Sequence, residues 1–154
     1  MKYFEVKVVR TTINNNNAYT DVKELYLVAA ETYTDVEVCF AEYMAKWYAG
    51  ESYVIKKIQI SKIQTTLVRG VEERHCALEN GDEAQPLFKL KCVGYYHPNG
   101  SHKEKKFSAI GLVERATPED ALQCAADIIG EAGYDYCRQE PVRLDRTQFV
   151  NVIE

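Results

Sequence analysis

The sequence predicts an α+β fold: a duplicated β-β-α-β unit with pseudo-two-fold symmetry, about six strands and two main helices. Apolar positions recur about 84 residues apart. Phe4, Val6 and Val8 match Phe88, Leu90 and Cys92, while Leu25, Leu27 and Ala29 match Ala109, Gly111 and Val113. Ile58 and Ile60 match Val142 and Leu144 at the same spacing. Each copy also has a threonine opening a helical stretch, Thr34 and Thr117, where the spacing slips by one. The period is too long, and two copies too few, for a solenoid array. A unit this short would bury only about 60% of its unfolded surface. Both copies are therefore expected to share one compact domain, with residues 1–70 the first repeat, 71–86 an acidic linker and 87–154 the second repeat.

Lys2 to Arg10 alternates with Phe4, Val6 and Val8 on one side, the period of a half-buried strand. Asn14 to Asn17 suit a hairpin tip, because asparagine tolerates left-handed backbone and bonds its own main chain. Val22 to Ala30 then returns antiparallel. Thr34-Asp35-Val36-Glu37 reads as a capping box, opening a helix from Asp35 to about Tyr48 that stops at Gly50. Val38, Ala41, Met44, Ala45 and Tyr48 are its expected sheet-facing stripe, with Trp47 near the edge. Tyr53 to Val68 reads as one long strand with Ile58 and Ile60 inward.

Gly70, Asn80-Gly81 and Pro86 break both periodicities, leaving room for a helical turn near Val71 to Leu78. In the second copy, His97-Pro98-Asn99-Gly100 is a turn between a strand from Leu87 and a strand from Lys105 to Glu114. Thr117-Pro118-Glu119-Asp120 supplies a cap, a first-position proline and acids facing the helix dipole. Ala121, Leu122, Ala125, Ile128 and Ile129 form its stripe, ending at Gly130 or Gly133, and Arg143 to Val150 repeats the last strand. The right-handed crossover places the third strand of each unit beside its first, in order 2-1-3.

The net charge of −4 resides in the linker, where five acids face one arginine. The copies are nearly neutral, so a local basic face remains compatible with the composition. Five cysteines without close pairs, and no leading apolar segment, point to a reducing cytosolic setting. No apolar run reaches the roughly 18 residues that a membrane helix needs.

No metal or cofactor is expected. His75-Cys76, Cys92, His97 and His102 match no zinc spacing, and surface histidines in a turn account for them. No nucleophile elbow, phosphate loop, metalloprotease helix or dinucleotide fingerprint occurs, so the chain reads as non-enzymatic. Glu114, Glu119 and Asp120 cluster at a helix start, where the dipole explains them.

Aromatic and basic residues on the hairpins give the functional signal: Tyr3, Lys7, Lys89, Lys91, Tyr95, Tyr96, Lys103, Lys105 and Lys106. Bases stack on rings while cations follow phosphates, so single-stranded nucleic acid is the leading ligand. The plainer reading is that tyrosines cover strand edges and lysines solubilise them. A protein-interaction or assembly module is the second reading, and open sheet edges make self-association possible.

Tyr3-Phe4-Glu5-Val6-Lys7, Tyr26-Leu27-Val28-Ala29-Ala30, Thr34-x-x-Glu37 and Ile58 to Ser61 resemble the uncharacterised domain of unknown function 4494 family of gut Bacteroidetes and their phages. The resemblance covers nearly the whole chain. It implies a small intracellular protein encoded by a phage or mobile element, with no catalytic residues to carry across. The tyrosine-rich second hairpin departs from the family pattern.

Overall fold

The computed structural model describes residues 1–100, 102–132 and 138–154, excluding the side chains of 73, 99, 130–132 and 138. Among these residues the chain forms nine strands and three α-helices, in an α+β arrangement. They are β1 (Lys2–Ile13), β2 (Tyr19–Ala30), α1 (Tyr33–Trp47), β3 (Ser52–Ile60), β4 (Ile63–Arg69), α2 (Val71–Glu79) and β5 (Leu87–Tyr96). A 3-10 turn at Pro98–Gly100 leads to β6 (Lys105–Glu114), α3 (Pro118–Ala132), β7 (Arg138–Gln139), β8 (Arg143–Arg146) and β9 (Phe149–Ile153). The expected six strands are thus exceeded, because each segment read as one final strand is two and β7 is added. The expected stop at Gly133 lies outside the described residues.

Two compact units result, one of Met1–Lys62 with Gln148–Glu154 and one of Ile63–Thr147. Their boundaries fall at the breaks within the two expected long strands, not at the acidic connector. Each unit has its own apolar cluster.

In the first unit the sheet order is β3-β1-β2-β9, with β1 antiparallel to both neighbours and β9 parallel to β2. The β1–β2 turn follows its asparagines. The Asn14 side-chain oxygen accepts from the Asn16 and Ala18 amides at 2.9 and 3.1 Å, and Asn17 takes φ 58°. Phe4, Val6, Val8, Tyr26 and Val28 meet Val36, Phe40 and Met44 of α1 in the core. The α1 stripe differs in part from expectation: Met44 and Tyr48 pack inward, but Val38, Ala41 and Ala45 are exposed, and Val36, Cys39, Phe40 and Tyr43 complete the inward face. Thr32, not Thr34, caps α1, its hydroxyl accepting from the Asp35 amide at 3.2 Å. Ile58 packs on the core as expected, whereas Ile60 is half exposed.

In the second unit the order is β4-β6-β5, continued by β7 and β8, which both pair with β5. β4 runs parallel to β6. Phe88, Leu90, Cys92, Ala109 and Val113 meet Ala121, Cys124, Ala125 and Ile128 of α3, with Leu67 from β4. Thr117 caps α3 as expected, accepting from the Asp120 amide at 3.2 Å, and Leu122 is exposed, outside the stripe.

The ladder registers correct the constant spacing of 84. Phe4 faces Val28, but Phe88 faces Val113, so matching positions lie 84 apart in the first strands and 85 apart in the second. Val6 faces Ile58 while Leu90 faces Leu144, which makes the spacing 86 in the third strands. A one-residue slip moves a strand's whole apolar set to the other face. Leu25, Leu27 and Ala29 accordingly lie on the face away from α1, whereas Ala109 and Val113 face α3.

Candidate functional site

Strand alternation sorts the expected binding residues before any side chain is considered. Tyr3 and Lys7 both belong to the face of β1 that turns away from α1. The Tyr3 ring is only 4% exposed and its hydroxyl donates to Glu154, so it offers no surface for a base. Burial, then the bond to Glu154, raises the Tyr3 pKa well above the ordinary tyrosine range. Lys7 is exposed.

On this face Lys7 lies opposite Leu25 on β2 and Lys57 on β3, and Val9 lies opposite Lys23. The register shifts between Lys7 and Val8, so that Lys57 pairs with Lys7 but Ile55 pairs with Val8. Lys56 is the extra residue of a β-bulge, a device that re-aims a side chain. The result is a cleft of about 560 Å³ on the first unit, edged by Lys7, Lys23 and Lys56 over Val9, Leu25 and Val150. Val8, Glu24 and Gln148 complete its lining. None of Lys7, Lys23, Lys56 and Lys57 forms an ion pair among the described residues. The Glu24 carboxylate is taken up on the α1 side, bound by Arg10 Nε at 2.8 Å and by the Tyr26 hydroxyl at 3.2 Å.

The other expected residues all belong to the second unit. Tyr95 faces Lys106 and Tyr96 faces Lys105 across the hairpin, giving one tyrosine–lysine pair on each face. Both tyrosines are half-buried and both lysines exposed, as is Lys103. The Tyr95 hydroxyl donates to Glu140 at 2.6 Å, which holds its ring in place. Lys91 is exposed and faces Arg143, whereas Lys89 is half-buried and faces Asp145. The strand register therefore gathers Tyr95, Tyr96, Lys105 and Lys106 at one hairpin end, sets Lys89 and Lys91 further along it, and places Lys7 in the first unit.

A second cleft, about 380 Å³, is lined by Gly70, Glu83, Gln85, Glu114 and Arg115 among others. Glu114 is the last residue of β6 and is buried, which corrects its assignment to a helix start. It accepts from the Gln85 amide at 2.9 Å and lies 3.8 Å from Arg74 Nη1, which itself donates to the Gln85 carbonyl at 2.8 Å. These bonds tie the connector after α2 to the sheet.

Among the described residues no three His, Cys, Asp or Glu side chains gather to hold a metal, and no helix is long and apolar enough to cross a membrane. Sequence reasoning missed Lys23 and Arg143 as members of these faces. Lys23 becomes legible only once the register opposite Val9 is known.

The family model described as domain of unknown function (DUF4494) matches residues 2–154. No curated protein and no solved structure matches the chain.

Proposed function

The chain belongs to the DUF4494 family, and from that premise we propose that it is a non-catalytic protein that binds single-stranded nucleic acid through the β5–β6 hairpin. The observation that supports this reading is the cross-strand pairing of Tyr95 with Lys106 and Tyr96 with Lys105. A ring beside an amine on each face suits a strand whose bases stack while its phosphates meet cations. Lys103 adds charge at the same end, and the Lys91–Arg143 pair extends it along the sheet. Like charges placed directly opposite each other destabilise a ladder, and a phosphate between them would offset that cost.

Fluorescence anisotropy with a labelled oligothymidylate tests the reading. Affinity is expected to fall with salt, with a slope near 0.7 for each phosphate neutralised, and K105E/K106E is expected to lower that slope by about 1.4. No binding at low salt, or binding indifferent to salt, would sink it.

An assembly role is the second reading. β3 is an edge of its sheet and carries Val54 and Ile60 at 55% and 50% exposure. Open edges with apolar side chains recruit another strand. Light scattering that finds a monomer at all accessible concentrations would remove self-association.

We also infer that the units descend from one β-β-α-β ancestor by duplication. The inward helix residues Val36, Cys39 and Phe40 correspond to Ala121, Cys124 and Ala125, each 85 residues on, and the caps Thr32 and Thr117 keep that spacing. In both sheets the hairpin is flanked by a third strand antiparallel to its first and an added strand parallel to its second. Cys39, Cys76, Cys92 and Cys124 form no disulfide among the described residues, which suits a reducing cytoplasm.

A further inference from the structure

We propose that the cleft on the first sheet binds a small amphipathic anion, an aliphatic chain ending in a carboxylate or a phosphate. This goes beyond the nucleic-acid reading and uses different residues.

The charge supports it first. Lys7, Lys23 and Lys56 edge one cleft, and the one carboxylate in its lining, Glu24, is engaged by Arg10 and Tyr26 on the other side of the sheet. Glu5 shares the face with Lys7, but its carboxylate accepts from Gln59 Nε2 at 3.2 Å. The cleft is thus left with uncompensated positive charge.

The bulge supports it independently. Ile55 and Ile58 both pack on the core, three residues apart, and the register shift leaves Lys56 and Lys57 together between them, with Lys57 directly opposite Lys7. Without an anion this arrangement sets like charges side by side, which costs stability. A bound carboxylate or phosphate would reverse the sign of that interaction.

The floor selects the body of the ligand. Val9, Leu25 and Val150 are aliphatic, and no aromatic ring lines the cleft. It lacks the stacking surface that a base requires. Lysine stems lie along apolar surface while their amines stay in water, so they extend the floor as walls for a chain. The volume falls within the usual range for small-molecule sites, roughly 300–1,000 Å³.

The test titrates the isotope-labelled full chain with decanoate, decyl phosphate, inorganic phosphate and oligothymidylate, following backbone amide shifts. Decanoate or decyl phosphate is expected to move the amides of Val9, Lys23, Leu25 and Lys56 saturably, the better head group separating carboxylate from phosphate recognition. Inorganic phosphate should bind at least about tenfold more weakly. K23E/K56E, at two exposed positions, should lose at least about tenfold in affinity for the amphiphile while keeping the spectrum of the folded chain. The proposal is overturned if neither amphiphile gives saturable shifts, if inorganic phosphate binds equally well, or if K23E/K56E binds unchanged. It is overturned equally if oligothymidylate alone moves these amides. K105E/K106E should leave amphiphile binding intact, so this proposal and the nucleic-acid reading fail separately.

Discussion

Gly111 lies against Leu67 so closely that a Cβ built on it would stand 2.4 Å from the Leu67 carbonyl oxygen and 2.8 Å from its Cβ. β4 reaches the edge of β6 at this point, with an irregular register between Ile63 and Val68. Neither neighbour yields easily, since one is backbone and the other is the first side-chain carbon of a leucine packed in the core. Gly111→Ala is expected to cost about 2–3 kcal/mol, in the range of an overpacked interior. Chemical denaturation checks it, and a loss under about 0.5 kcal/mol, as at an ordinary surface site, would contradict the contact.

Arg10 joins three groups of the first unit. It binds Glu24 at 2.8 Å and Glu51 at 3.1 Å, and its guanidinium lies 4.2 Å from the centre of the Tyr48 ring. The hydrogen bond to Glu24 raises its pKa further above the arginine range. Its side chain is 12% exposed and that of Glu24 8%, so removing the arginine strands a shielded carboxylate. Arg10→Ala should cost roughly 3 kcal/mol. Arg10→Ala/Glu24→Gln should recover part of that loss, and simple additivity in a double-mutant cycle would refute the coupling.

Tyr3, Tyr26 and Tyr43 all have pKa values raised, chiefly by burial. A tyrosine that stays protonated in the native state above its unfolded pKa of about 10 makes the unfolded state the poorer proton binder there. Stability is therefore fully present below about pH 10 and declines above it, by about 1.4 kcal/mol per pH unit for each such tyrosine. Denaturation midpoints measured on both sides of that pH should show the decline. Tyr26→Phe should make it shallower, and an unchanged slope would contradict the assignment.

The two threonines near the start of α1 separate in a similar experiment. Thr32→Ala removes the hydroxyl that accepts from Asp35 and should cost about 1 kcal/mol. Thr34→Ala, exposed in the first turn, should change stability by less than about 0.5 kcal/mol. Thermal melts of the pair give the comparison, and the opposite order would restore the cap to Thr34.

The sequence by itself determined the hairpins, the helices and their turn residues, because these depend on contacts close along the chain, and the neighbouring of first and third strands, because the handedness of the crossover fixes it. Asn14 bonding its own loop, Pro98 and Gly100 in the turn, and Thr117 before Pro118 are local chemistry. Only the tertiary structure decided the faces and the partners. Period two holds equally well in registers of 84 or 85, yet the two place Leu25 on opposite faces. Val38 and Val36 are equally apolar, and only the packing of α1 on the sheet decides which of them turns inward. At Ser61-Lys62 no glycine or proline announces that the chain leaves one sheet, and β4 finds its partner β6 more than forty residues away. The lysine cleft has the same origin. Lys7, Lys23 and Lys56 are scattered in sequence, and only the pairing of three strands around a bulge gathers their charges over one aliphatic floor.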